Sequence, residues 1–277
     1  MTSQGSGRQN VGGVHIIDLG HAQDPRLLNS LYDDVLMPSF PPDELSLPWW
    51  DRAAPTDYGD TMATLVALGE NEVVGGLVAW WFEKARTQLV GYLGVRPDHR
   101  GRGIGTALID AAREHWWREA GDSQPGRYEF LGCRLVVAEI EDPRHHGDHP
   151  DYGSPEARVR FYSRLGAEVL HGRDGNPLRY FQPRVRDDTQ RVPNLFLATL
   201  HVSPEALDDA HTVDAELLAT FLREYFAAEE GSQSLDDSEV QGLLDQVSAP
   251  GRLALRPIGE HAGDIADRAG ARAGSES

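Results

Sequence analysis

Residues 88–108 read Q-L-V-G-Y-L-G-V-R-P-D-H-R-G-R-G-I-G-T-A-L, an order of residue types that implies a strand, a tight glycine turn and a helix. Leu89 to Val95 is an apolar run of strand length, and Pro97 ends the ladder because it has no N–H to donate. Gly101, Gly103 and Gly105 let the backbone come close to whatever sits above the turn. The first N–H groups of the helix that follows have no intrahelical acceptor and carry the positive end of its dipole. With Arg100 and Arg102 beside them, they make a site for phosphate or pyrophosphate.

Upstream, Met62 to Leu68, Val73 to Phe82 and Gln88 to Val95 are strand-like runs joined by G-E-N and E-K-A-R-T, connections short enough to imply an antiparallel meander. Before them, V-H-I-I-D-L reads as a first strand, and Leu27, Leu28, Leu31, Val35 and Leu36 have helical spacing over Pro25 to Met37. Ser39 to Pro55, with the pair Trp49 and Trp50, is too rich in proline for regular structure throughout. Downstream, the helix from Gly105 runs to about Glu119, with Ala107, Leu108, Ala111, Ala112 and His115 on one side. Gly132 to Ile140 is a strand, Asp142 to Gly153 a polar loop, and Ser154-Pro155-Glu156 a helix start; that helix stops at Gly166. Ala167 to Leu170, Leu178 to Gln182 and Leu195 to Val202 are strand candidates, and Val213 to Glu230 and Asp236 to Val247 are amphipathic helices. The expected organisation is a flexible N-terminus over 1–13, a main domain over 14–202, a helical extension over 203–256 packing on it or on a partner, and a disordered tail over 257–277.

The chain has 277 residues, 40% of them apolar, enough for a sizeable core. Its net charge of −18 disfavours nucleic acid as a partner, because an acidic surface repels the phosphate backbone. Residues 187–277 hold 18 acidic residues against 6 arginines, so −12 of that charge lies in the last third, as a solvated surface. The first ten residues lack the charged-then-apolar pattern of a signal peptide, and the longest apolar run, Val73 to Phe82, is far short of a membrane span. A cytoplasmic location with no membrane partner is expected. Cys133 stands alone in an apolar segment and reads as structural.

The run V-R-P-D-H-R-G-R-G-I-G resembles the acyl-CoA-binding motif Q/R-x-x-G-x-G/A of the GNAT N-acetyltransferase superfamily, with Arg100, Gly103 and Gly105 at the matched positions. Phe161-Tyr162-Ser163-Arg164-Leu165-Gly166 resembles the family's later Y-x-x-x-G, and the likeness spans about residues 14–202. A dinucleotide-binding turn would need G-x-G-x-x-G in a parallel βαβ series and a P-loop G-K-[ST], and neither fits here. The resemblance implies an α+β fold: a central, mainly antiparallel twisted sheet of about seven strands, with flanking helices, splayed around the CoA site. It implies acetyl-CoA or another acyl-CoA as co-substrate, held by Leu93, Val95, Arg100, Gly101, Arg102, Gly103, Ile104, Gly105 and Thr106. It also implies Tyr162 as the general acid for the leaving thiolate, a role alongside which a core tyrosine stays open. The chain departs from the pattern at Pro155, Arg158 and Ala167, where the family carries Asn, Ala and an aromatic residue.

For the base, Glu139 and Glu141 are two apart on a strand, face the same way and lie at the end leading into the polar loop. Either can accept a proton there, Glu139 first, although a strand end emerging into solvent explains them as well. His145, His146 and His149 sit in a loop with no rigid frame for a metal, so they read as lining an acceptor-side loop. The activity expected is transfer of an acyl group to a primary amine of a small molecule by direct attack in a ternary complex, without a metal. The alternative is a non-catalytic acyl-CoA-binding module that regulates or assembles. The amphipathic C-terminal helices also leave a homodimer open.

Overall fold

The G-E-N connection is a two-residue turn in which Glu70 and Asn71 take φ of +50° and +76°, the positive pair of a type I′ hairpin whose twist suits antiparallel strands. A computed structural model describes residues 10–11, 13–19, 24–42, 44–45, 62–116, 132–186 and 188–261. The chain divides into two units, residues 1–81 with 88–133 and residues 82–87 with 134–277. The boundary therefore falls between residues 133 and 134, and the tip of one hairpin is counted with the second unit.

In the first unit the strands are β1 (Asn10–Val11), β2 (Val14–Asp18), β3 (Met62–Gly69), β4 (Glu72–Phe82) and β5 (Thr87–Val95), adjacent in that order. The β2–β3 and β3–β4 pairs are antiparallel, with Ile17 opposite Val66 and Leu65 opposite Leu77. Helix α1 (Pro25–Ser30) starts at Asp24, whose carboxylate accepts the Arg26 N–H at 3.0 Å, with Pro25 in the first turn. The segment expected to continue as one α-helix changes to π geometry over Leu31–Leu36. Its Leu31, Val35 and Leu36 are buried together with Leu28, Val66, Val78 and Tyr92. That close approach needs Gly76 on β4, where a Cβ would lie 2.4 Å from a Leu31 methyl. Helix α2 (Ile104–Trp116) buries Ile104, Ala107, Leu108, Ile109 and Ala112 and leaves Asp110 exposed. Of the expected apolar side, Ala111 is half-buried and the side chain of His115 lies outside the described residues, as do Trp49, Trp50 and the helix end at Glu119.

The second unit holds β6 (Leu135–Glu141), α3 (Pro155–Arg164), β7 (Glu168–His171), β8 (Tyr180–Gln182), β9 (Val192–Val202), β10 (Thr212–Asp214), α4 (Ala215–Glu230), α5 (Ser238–Ser248) and β11 (Arg252–Pro257). Strand order is β6-β9-β7-β11-β10, with β8 also on β9, and the pairs are antiparallel. Among the described residues eleven strands thus stand where about seven were expected. The extension over 203–256 is not only helical: β11 pairs with β7, placing Leu255 opposite Leu170. Arg252-Leu253-Ala254-Leu255-Arg256 alternates with the period of a strand, burying Leu253 and Leu255. The tail expected to be disordered from 257 begins ordered. Ile258 is buried and donates its N–H to the Ala167 carbonyl at 3.0 Å, and residues 262–277 lie outside the described residues. Helix α4 buries Leu218, Phe221, Leu222 and Phe226. Phe221 meets Phe82 edge-on at 5.0 Å, and Phe226 meets Phe181 at 5.4 Å.

Candidate functional site

The glycine turn that precedes α2 is built from β5 outward. Where β5 ends, the Arg96 N–H is bound to the Val74 carbonyl at 2.9 Å, and its guanidinium bridges Glu72 at 3.0 Å and Asp98 at 3.1 Å. Pro97–His99 then makes one 3₁₀ turn. The two arginines of the motif brace this turn: Arg100 Nε donates to the Val95 carbonyl at 3.0 Å and an Arg102 terminal nitrogen donates to the Asp98 carbonyl at 3.1 Å. Both arginine side chains stay exposed. Gly101 and Gly103 have φ of +77° and +80°, and a Cβ on either would meet nothing within 4 Å. Their glycines therefore serve backbone conformation and not space. Ala107 N–H to the Gly103 carbonyl, 3.0 Å, closes the first turn of α2, so Ile104, Gly105 and Thr106 present the N–H groups that have no intrahelical acceptor. Ile104 is buried and anchors the turn, Gly105 is half-buried and Thr106 is exposed. Leu93 and Val95 are half-buried with Gly94 buried between them. Two left-handed glycines followed by a helix start leave unpaired N–H groups of the kind that can hold an anion.

In the second unit, α3 is capped by Ser154, whose hydroxyl accepts the Ala157 N–H at 3.4 Å. Tyr162 lies on its buried side, and burial pushes its phenol up to about 12, with nearby Arg158 opposing. The phenol is therefore protonated throughout the neutral range.

Glu139 and Glu141 share a half-buried face of β6, between buried neighbours. They do not share an environment. Glu141 is ion-paired with Arg158, whose other terminal nitrogen donates to the Tyr152 carbonyl at 2.9 Å, and His146 Nδ1 lies 3.9 Å from the same carboxylate. Glu139 accepts from two phenols: Tyr180 on β8 donates to Oε1 at 2.5 Å, and Tyr225 on α4 lies 3.4 Å from Oε1 and 3.3 Å from Oε2. Burial and the adjacent Glu139 charge hold the Tyr180 phenol well above its ordinary range, so it is the donor in that bond. Sequence reading missed both tyrosines, which lie 41 and 86 residues from Glu139 and match no short motif.

The loop after β6 is held by Asp142, which is buried and accepts three bonds from the Arg144 guanidinium at 2.6 to 3.0 Å. Arg144 also sits 5.6 Å above the Phe196 ring. A cavity of about 180 Å³ opens beside this pair, with Asn176, Arg179 and Tyr180 also in its wall. The three histidines diverge. The N–H groups of His145 and His146 donate to the Asp142 carbonyl, His146 Nε2 is 3.0 Å from the Pro193 carbonyl, and the His149 ring stacks on Tyr152 at 4.5 Å. Among the described residues, no group of three His, Cys, Asp or Glu side chains is placed to hold a metal ion. No helix among them is long and apolar enough to cross a membrane.

Residues 60–166 match the family model described as an acetyltransferase (GNAT) domain. No curated protein matches the chain. Solved structures similar to it include a chain from Bacteroides thetaiotaomicron assigned to the GNAT acetyltransferases, at 19% identity and TM-score 0.48, covering 79% of this chain and 98% of that one. An IAA acetyltransferase from Bacillus cereus shares 14% identity at TM-score 0.36, covering 67% and 97%. A GNAT acetyltransferase from Elizabethkingia anophelis with acetyl-CoA bound shares 13% identity at TM-score 0.33, covering 52% and 79%.

Proposed function

We propose that this chain, whose residues 60–166 match the model of a GNAT acetyltransferase domain, is an N-acyltransferase that uses acetyl-CoA to acylate a primary amine of a small molecule. The observation that carries this reading is the Arg100–Thr106 turn, whose two left-handed glycines and three first-turn N–H groups suit the CoA pyrophosphate. Arg100 and Arg102 add positive charge there, and Leu93 and Val95 at the end of β5 flank the pantetheine arm.

In the proposed reaction the free amine attacks the thioester carbonyl, the C–N bond forms and the C–S bond breaks. Glu139 takes one proton from the ammonium, directly or through water; Tyr162 gives its proton to the departing thiolate and recovers one from the nitrogen, which loses its second proton as the amide forms. A phenol near 12 is a weak acid for a thiol of about 8.5 in water, but burial that raises the phenol raises the thiol as well, so the gap in the site is smaller. Glu141 is the alternative base, and its pairing with Arg158 favours Glu139 for the role.

The test is calorimetric titration with CoA, followed by thiol release from acetyl-CoA over a library of primary amines. CoA binding with amine-dependent thiol release supports the proposal. Binding without release for any amine would instead favour an acyl-CoA-binding module. Glu139→Gln is expected to flatten the acid limb of the pH–rate profile, and Tyr162→Phe to lower kcat by about 10²-fold with the CoA affinity kept.

A further inference from the structure

Helix α4 lies beyond the 60–166 match, yet its residues reach two features of the second unit at once. Glu224 accepts the N–H groups of Lys84 and Ala85 at 3.1 and 2.8 Å, holding the 82–87 hairpin tip. Its neighbour Tyr225 is buried, stacks on Phe221 at 5.7 Å and meets Phe82 at 5.6 Å, and turns its hydroxyl to the Glu139 carboxylate. Phe82, Phe221 and the helix backbone thus fix the ring, and the ring fixes where the hydroxyl points. Tyr180 reaches the same carboxylate from β8. A half-buried carboxylate with no strong donors would drift toward its neutral form, whereas two phenol donors favour the charged form.

We infer that Tyr225 is a positioning residue for Glu139: with Tyr180 it keeps the carboxylate ionised and in one orientation, so that the C-terminal extension contributes to proton transfer at the site. This rests on the reading of Glu139 as the base. In the step it serves, an ammonium N–H bond breaks, its electron pair stays on nitrogen for attack on the thioester, and the proton forms an O–H bond on Glu139. A carboxylate already neutral at working pH cannot accept it. The phenols themselves stay protonated before and after.

The experiment titrates the full chain labelled with ¹³C at the glutamate side-chain carboxyl, the Glu139 signal being assigned by its loss in Glu139→Gln. Tyr225→Phe keeps the ring contacts and removes only the hydroxyl. It is expected to raise the Glu139 titration midpoint by about half to one pH unit, and Tyr180→Phe, which loses the shorter bond, by more. In the active enzyme the acid limb of kcat/KM moves up by the same amount while the Kd for CoA is unchanged. A Tyr225→Phe midpoint equal to the wild-type value overturns the inference, whatever happens to activity. A shifted midpoint in a protein that releases no thiol with any amine supports the positioning role and counts against the acyltransferase reading, so the two failures are distinguishable. If Tyr225→Phe lowers the rate with no movement of the limb, the hydroxyl is structural only and the inference falls.

Discussion

Gly103→Ala tests the turn most directly, because the structure separates the two reasons for a glycine. An added Cβ meets nothing within 4 Å, so no steric term enters, and the whole cost comes from φ of +80°. For an L-residue with a side chain that conformation costs about 1–2 kcal/mol. Alanine also stiffens the unfolded chain, which offsets about 0.4–1 kcal/mol of it, leaving about 1 kcal/mol net. The cost falls on folding if the free turn keeps its shape, and on CoA binding if the free turn relaxes and must be driven back. The loss in unfolding free energy and the loss in CoA binding energy should therefore sum to about 1 kcal/mol, however they divide, and a loss entirely in binding is about fivefold in Kd. Urea denaturation without ligand and calorimetric titration with CoA measure the two parts. Gly242→Ala is the control: its Cβ also meets nothing within 4 Å, but it sits inside α5 without a positive φ, so alanine should stabilise by about 0.5–1 kcal/mol. If Gly103→Ala matches Gly242→Ala in stability and leaves CoA affinity intact, the left-handed requirement is wrong, and the pyrophosphate assignment loses its main support.

Arg191 has 11% of its side chain exposed and binds Glu230 through two nitrogens at 3.0 and 2.8 Å, with Asp237 and Glu239 at 2.8 Å and the Phe181 ring at 5.3 Å. Arg191→Met leaves the 6%-exposed Glu230 with Arg184 at 3.4 Å, and is expected to cost about 3 kcal/mol in urea denaturation. Arg191→Lys should recover only part of this, since an ammonium cannot make the two-pronged bond. His171 and His261 meet through their Nε2 atoms at 3.3 Å, and burial lowers both below the ordinary histidine range. As pH falls through about 6.5 the unfolded chain takes up protons that the folded chain refuses, so stability should fall with falling pH, by at most about 1.4 kcal/mol per pH unit for each histidine. Urea midpoints across about pH 5 to 8 measure this slope, and His171→Phe with His261→Phe should flatten it. Were stability to rise on acidification in that window, some other group would be setting it.

Sequence determines structure directly where the controlling physics is local. The meander, the capped start of α3 and the glycine turn each depend on φ preferences, missing N–H groups or residue alternation within a few positions, and all three stand in the structure. Elements whose identity depends on distant partners differ from what their sequence implies. The spacing of Leu31–Leu36 fits an α-helix, whereas the segment is a π-helix packed in one buried cluster with Val66, Val78 and Tyr92. The short runs Thr212–Asp214 and Arg252–Pro257 have little strand propensity by length alone, and became strands by pairing with each other and with β7.

The same division holds within the candidate site. Residues 88–108 alone determine a strand, a left-handed glycine turn and the exposed N–H groups of a helix start, because those properties follow from backbone conformation and the end of a hydrogen-bond ladder. That Glu139 and Glu141 share a face also followed from the two-residue period of a strand. Which of them is tied to an arginine and which is cradled by two phenols did not, since Arg158, Tyr180 and Tyr225 arrive from α3, β8 and α4. Hydrogen bonds need partners placed to within a few tenths of an ångström, and across 86 residues of chain only tertiary packing supplies that placement.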